Sequence, residues 1–178
     1  MKLYFAYGAN LNKEGMRVRC PGAMIVRSHQ LKDWRLIFSG VATIQPSPGD
    51  TVSGAIWSIT DKCEKSLDMF EGFPTLYRKE YIRIRGHEVM FYVMNHDKPS
   101  EPSLGYLMTI AEGYEDWNLQ LDNLWNAVRT TQNESYYDPY RNAKTWDDNE
   151  YDRRLSNNQP RQGKFLSRKR SHQALGRT

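Results

Sequence analysis

Leu3-Tyr4-Phe5-Ala6-Tyr7-Gly8-Ala9-Asn10-Leu11 is the stretch on which the reading of this chain turns. Its apolar and aromatic run marks a buried strand, and the strand breaks at a glycine. At such a break the backbone N–H groups of Gly8, Ala9 and Asn10 have no ladder partners, and a residue without a Cβ lets another molecule approach the main chain. The turn is therefore a candidate cradle for an oxyanion or carboxylate. The plainer alternative is an ordinary first strand and its exit turn.

Downstream, Asn12 to Arg19 is polar with Met16 and Val18, room for one or two helical turns before Cys20-Pro21-Gly22. Ala23 to Ser28, Leu31 to Phe38 and Val41 to Gln45 then read as three short strands, separated by His29-Gln30 and Ser39-Gly40. Pro46-Ser47-Pro48-Gly49-Asp50 reads as a further break before a strand over Val52 to Ile59, whose Gly54 and Ala55 suggest close packing or a bend. A short helix is expected over 61–71. Thr60 or Asp61 caps it, with Glu64 in capping-box position after Asp61; Cys63, Leu67 and Phe70 share a face, and Gly72 and Pro74 end it. Tyr77 to Arg85 and Glu88 to Met94 alternate around Gly86-His87 as a β-hairpin. From Leu104 to about Thr131 the apolar period becomes helical, giving two helices with Gly113 between them that pack on a mostly antiparallel sheet.

The 178 residues suit one core-bearing domain. No apolar run is long enough for a membrane span and no leader precedes the first strand, so a cytoplasmic protein is expected. Cys20 and Cys63 carry no metal-ligand spacing and read as reduced, separate thiols. The net charge of +4 is uneven. Residues 151–178 hold eight Lys or Arg against Asp152, a net of +7, whereas residues 1–150 hold 17 basic and 20 acidic residues, a net of −3. The folded part is mildly acidic and the basicity is a tail.

Glu71 is the carboxylate placed for chemistry. It lies in the last turn of its helix, where the macrodipole disfavours negative charge, and Asp68 precedes it by three residues on the same face. Both effects raise its pKa and suit it to accept and return a proton near neutral pH. The alternative is a solvated helix-end glutamate.

Tyr4-Phe5-Ala6-Tyr7-Gly8-Ala9-Asn10-Leu11 resembles the Tyr-Gly-Ser-Asn-Leu signature of the γ-glutamylcyclotransferase-like proteins. Further matches follow in family order: Val52-Ser53-Gly54-Ala55-Ile56-Trp57, then Leu67-Asp68-Met69-Phe70-Glu71-Gly72-Phe73-Pro74 with Tyr77, then Pro102-Ser103 with Tyr106, Ile110 and Gly113. The resemblance divides the chain into a domain of residues 1–132 and a polar to basic extension, 133–178. It implies an α+β fold, a small mixed, mainly antiparallel β-barrel with flanking helices, whose cavity receives a γ-glutamyl group. It further implies that Tyr7, Gly8, Ala9, Asn10 and Leu11 bind the glutamyl part, with Tyr77 and Tyr106 as cavity tyrosines and Glu71 as general base. The reaction implied is attack of the substrate α-amine on its own γ-carbonyl, releasing 5-oxoproline and an amine. One carboxylate suffices without metal or cofactor, because the nucleophile belongs to the substrate and ring closure is intramolecular.

Ala9 stands where the family has serine, which removes a hydroxyl from the cradle and keeps its N–H. That departure motivates a rival reading, a catalytically silent module of the same fold that binds a small acidic ligand or peptide end. Glu71 argues for the enzyme, since a wall that only receives an acidic group has no use for a second carboxylate. Cys20 and Cys63 have no histidine placed to activate them, and His29, His87 and His96 read as surface turn residues without ligand spacing. Trp117 and Trp125 read as core. Residues 145–178 are too polar to offset their ordering entropy and are expected to be mobile. A minor expectation is that Arg168-Lys169-Arg170, with Phe165 nearby, lets the tail touch the phosphates of a nucleic acid.

Overall fold

In the computed structural model of the chain, which describes residues 1–96 and 98–136, the opening stretch forms β1, Lys2–Ala6, in the middle of a five-stranded sheet. Tyr4, Phe5 and Ala6 are buried in succession, because a strand with neighbours on both edges and cover on both faces has no wet side. On one edge β1 pairs antiparallel with β3, Val41–Ile59; on the other it pairs parallel with β5, His87–Met94. β2, Met24–Ser39, and β4, Tyr77–Ile84, complete the order β2-β3-β1-β5-β4. The sheet is mixed and mainly antiparallel, and with its helices it makes the expected α+β fold. It does not close by a continuous ladder, since β2 and β4 remain edges. Side chains cross between the β3 and β4–β5 parts instead: Met94 N–H donates to Thr43 Oγ1 at 3.0 Å and the Tyr77 hydroxyl donates to the Ala42 carbonyl at 2.6 Å.

The short strands expected over 23–59 are in fact two long ones. His29-Gln30 lies inside β2, and the register slips at Ile25/Arg27 and Lys32/Trp34 absorb residues that look like turns. His29 is thus a strand residue, half-buried and edge-on to Phe5. Pro46 and Pro48 sit in the part of β3 that precedes its pairing with β1, so their missing N–H groups remove no bond from that side. Around the opposing slip Asp33 takes φ 62° and its carboxylate accepts from the Gly49 N–H at 3.0 Å.

The helices follow the sequence closely. α1, Lys13–Arg19, is capped by Asn12, whose side chain accepts from Gly15 N–H. α2, Asp61–Glu71, is capped by Thr60 and ends on Gly72 at φ 64°. Glu64 does not serve the expected capping box; it bridges Lys2 at 2.5 Å and Lys79 at 2.6 Å. The β4–β5 hairpin turns on Arg85 and Gly86, both at positive φ, the two-residue turn that matches strand twist.

α3, Leu104–Asp116, starts at Ser103, and α4, Leu121–Tyr136, packs on β2, where Thr131 Oγ1 accepts from the Phe38 N–H at 3.0 Å. The break between them falls at 117–120 and not at Gly113, which lies inside α3. A Cβ on Gly113 would come within 2.6 Å of Leu11 Cβ, so its role is close approach. Trp117 is edge-on to Trp57 with ring centroids 5.2 Å apart, and both Trp117 and Trp125 pack against the core as expected. Among the described residues no helix is long and apolar enough to cross a membrane. The residues expected to be mobile and the basic run 168–170 lie outside the described residues.

Candidate active site

The exit of β1 delivers Tyr7 and Gly8 into a single 3₁₀ turn, Ala9–Leu11. Ala42 of β3 and Tyr106 of α3 lie against it: a Cβ on Gly8 would be 3.1 Å from Ala42 Cβ and 3.5 Å from the Tyr106 hydroxyl. α2 brings Glu71 to the same place from 61 residues further along. Tyr4, Tyr7, Gly8, Ala9, Asn10, Ala42, Phe70, Glu71, Tyr77, Tyr92 and Tyr106 line one cavity. Seven of the eight residues singled out in the sequence are therefore together. Leu11 is not among them; it is wholly buried under α3, and its carbonyl accepts from the Trp117 indole N–H at 2.8 Å. Its apolar side chain serves the core that fixes the turn.

The Asn10 side chain organises the site, a role its sequence position did not reveal. It is 3% exposed, and its Nδ2 donates to the Glu71 Oε1 at 2.7 Å and to the Tyr4 hydroxyl at 2.9 Å. Its Oδ1 accepts from Arg19 Nη1 at 2.9 Å. Arg19, the last residue of α1, also stacks on Phe70, its guanidinium carbon 4.0 Å from the ring centroid.

Burial pushes the Glu71 carboxyl up to about 7, against the downward pull of the Asn10 amide and the Arg19 charge. The direction is the one expected, but the cause is enclosure and not Asp68. Asp68 is engaged elsewhere, accepting from the Tyr92 hydroxyl at 2.6 Å and bridging Lys79 at 2.7 Å. Glu71 is half-buried as a residue, and its carboxyl is the enclosed end.

The tyrosines supply neutral hydroxyls. Burial raises Tyr4, Tyr7, Tyr77 and Tyr92 well above the usual phenol range and pushes Tyr106 up to about 12. Tyr7 donates to the Tyr92 carbonyl at 2.6 Å, which turns its hydroxyl into the sheet. Tyr106 accepts from the Ala42 N–H at 3.1 Å and lies within reach of the Ala9 amide. The cavity measures about 30 Å³, enough for a water and too small for a glutamyl group without side-chain movement. Phe70, 49% exposed, forms the outer wall of the cavity under the Arg19 guanidinium. Wider clefts of about 410 and 430 Å³ lie between the β2–β3 ribbon and α4 and beside the start of β1, but neither is lined by Glu71 or the Gly8–Asn10 turn.

Cys20 and Cys63 are both buried and unpaired, and they are neighbours, the Cys20 Sγ lying 3.6 Å from the Cys63 carbonyl. Burial pushes the Cys20 thiol up to about 12, so it is a poor nucleophile. At Cys63 burial is outweighed by hydrogen bonds, the Thr60 hydroxyl foremost, and the thiol lies below its usual value, yet only 3% of the residue is exposed. Among the described residues no group of three or more His, Cys, Asp or Glu is placed to hold a metal ion.

Fold and site define a small α+β protein in which a backbone turn and one enclosed carboxyl group line the same cavity. The family described as gamma-glutamyl cyclotransferase, AIG2-like, matches residues 4–118. Human gamma-glutamylcyclotransferase is 32% identical over 138 residues, 67% of this chain and 73% of the relative; the mouse protein is 33% identical over 132 residues, 64% and 70%. A solved gamma-glutamyl cyclotransferase superposes with a TM-score of 0.61 at 28% identity, over 71% of this chain and 85% of the other. This chain belongs to the gamma-glutamyl cyclotransferase, AIG2-like family.

Proposed function

We propose that the protein is a γ-glutamylcyclotransferase-type enzyme that releases 5-oxoproline from γ-glutamyl amino acids or amines, with Glu71 as its acid/base. The observation that carries this reading is the meeting of the Glu71 carboxyl with the Gly8–Asn10 turn in one cavity. The substrate's glutamyl part sits against the turn. Ionised Glu71 takes a proton from the substrate α-amine, whose nitrogen then attacks the γ-carbonyl carbon. Backbone N–H groups of the turn offset the charge on the carbonyl oxygen. Collapse breaks the C–N bond, and protonated Glu71 returns the proton to the departing amine. A carboxyl group with a pKa near 7 is matched to both transfers at neutral pH. Among the described residues the buried thiols are unpaired, which suits a reducing compartment such as the cytoplasm.

The test is incubation with a panel of γ-glutamyl amino acids and γ-glutamyl amines, with Glu71→Gln alongside, following 5-oxoproline. Product from the parent and not from the variant is expected. Product from neither, with ligand binding retained, would favour the silent binding module; equal product from both removes Glu71 from the mechanism.

A further inference from the structure

We propose that Arg19 is a positioning residue for the acid/base carboxyl group, acting through Asn10 from a seat left open by Gly15. The inference rests on the acid/base reading of Glu71. A carboxamide has two ends of nearly equal size, and hydrogen bonding alone decides which way it faces. Arginine only donates, so Asn10 must present Oδ1 to it and Nδ2 to the opposite side. On that side stand Glu71 Oε1 and the Tyr4 hydroxyl. Arg19 thus settles that Glu71 meets an N–H donor, the partner that favours its ionised, proton-accepting form.

Two features hold the guanidinium in place. One is the Phe70 ring beneath it, carried by the residue next to Glu71. The other is Gly15, one helical turn before Arg19 in α1: a Cβ there would come within 3.0 Å of Nη1 and 3.1 Å of Nη2. Glycine inside a helix costs about 1 kcal/mol relative to alanine, and here the missing methyl is the space in which the arginine lies. The Arg19 carbonyl also accepts from Ser66 Oγ of α2 at 2.8 Å, which fixes the end of α1 against the helix that carries Glu71.

The groups facing Glu71 from the packed elements are the hydroxyls of Tyr4, Tyr7, Tyr77, Tyr92 and Tyr106, held neutral by burial, and Arg19, the charged one among the described residues. Removing Arg19 therefore leaves burial less opposed and raises the pH at which Glu71 ionises.

The test is the pH profile of kcat/KM for 5-oxoproline release by the full chain and by Arg19→Met, Arg19→Lys, Gly15→Ala and Glu71→Gln, each with a thermal melt. Arg19→Met is expected to lose about ten- to a hundredfold at pH 7, with its acidic limb displaced upward so that much of the loss is recovered near pH 9. Arg19→Lys, which keeps charge and loses the planar fork, is expected to fall between it and the parent. Gly15→Ala is expected to melt no lower than the parent yet show the same displaced limb. Folded Arg19→Met and Gly15→Ala proteins with the parental limb overturn the inference and leave the Glu71 reading standing. A fully active Glu71→Gln overturns both.

Discussion

Ionised Glu71, the form that the proposed mechanism uses, is costly to the fold. Its pKa is raised to about 7 in the native state, while the unfolded chain titrates near 4.5, so the native state holds the proton more tightly. The contribution of Glu71 to stability is fullest below about pH 4.5 and is lost as pH rises through 7, where the native carboxyl must ionise inside its cavity. Glu71→Gln keeps the shape and removes the charge. Its expected signature is a rate loss of about 10²- to 10⁴-fold in 5-oxoproline release, with a melting temperature above the parent at pH 8 and equal to it near pH 4. A variant that melts lower at pH 8 contradicts enclosure as the source of the shift. The place of Glu71 at the end of α2 was legible from Gly72, but its electrostatics were not. Asp68 is spent on Lys79 and Tyr92, and the groups that tune Glu71, Asn10 and Arg19, come from another part of the chain.

Lys79 of β4 is the counterpart of that arrangement on the outer side of α2. Its side chain is 11% exposed and bridges Glu64 at 2.6 Å and Asp68 at 2.7 Å, tying the helix to the sheet. Lys79→Met leaves Glu64 with Lys2 alone and Asp68 with the Tyr92 hydroxyl alone, and is expected to lower stability by roughly 3 kcal/mol. The Glu64 carboxyl is held below its usual value, first by Lys2 and then by Lys79, so the deficit should be present above about pH 4.5 and fade as pH falls below it. Urea titrations at pH 7 and pH 3.5 measure both numbers. Gly113 sets how closely α3 approaches the turn: Gly113→Ala pushes a methyl toward Leu11 and is expected to cost about 1–3 kcal/mol, with activity falling as the turn shifts.

Helix α2 was readable to its ends because Thr60, Gly72 and Pro74 mark local backbone events. β2 and β3 were not, because a bulge and a turn use the same residues. Only the partner strand tells Pro46 to Asp50 in a continuing ribbon from the same residues in a loop. The barrel that the resemblance implies is not closed, since side chains such as Thr43 and Tyr77, and no continuous ladder among the described residues, join the two parts of the sheet.

Across the whole chain, charge is uneven. Residues 151–178 carry a net +7, and deleting them is expected to abolish any low-salt retention on DNA or RNA while leaving 5-oxoproline release unchanged. Retention that survives the deletion removes the tail from that role.

The central position of β1 has a further consequence. Amides of Tyr4 and Phe5, flanked by β3 and β5, are expected to belong to the part of the molecule that opens last, and the strand leads directly into the Gly8–Asn10 turn. Hydrogen exchange at these amides is expected to require global opening, with inactivation on heating coinciding with loss of the entire structure. On the proposed mechanism such a protein is expected to have no folded but idle intermediate, since the turn that carries the chemistry goes only when the whole sheet does.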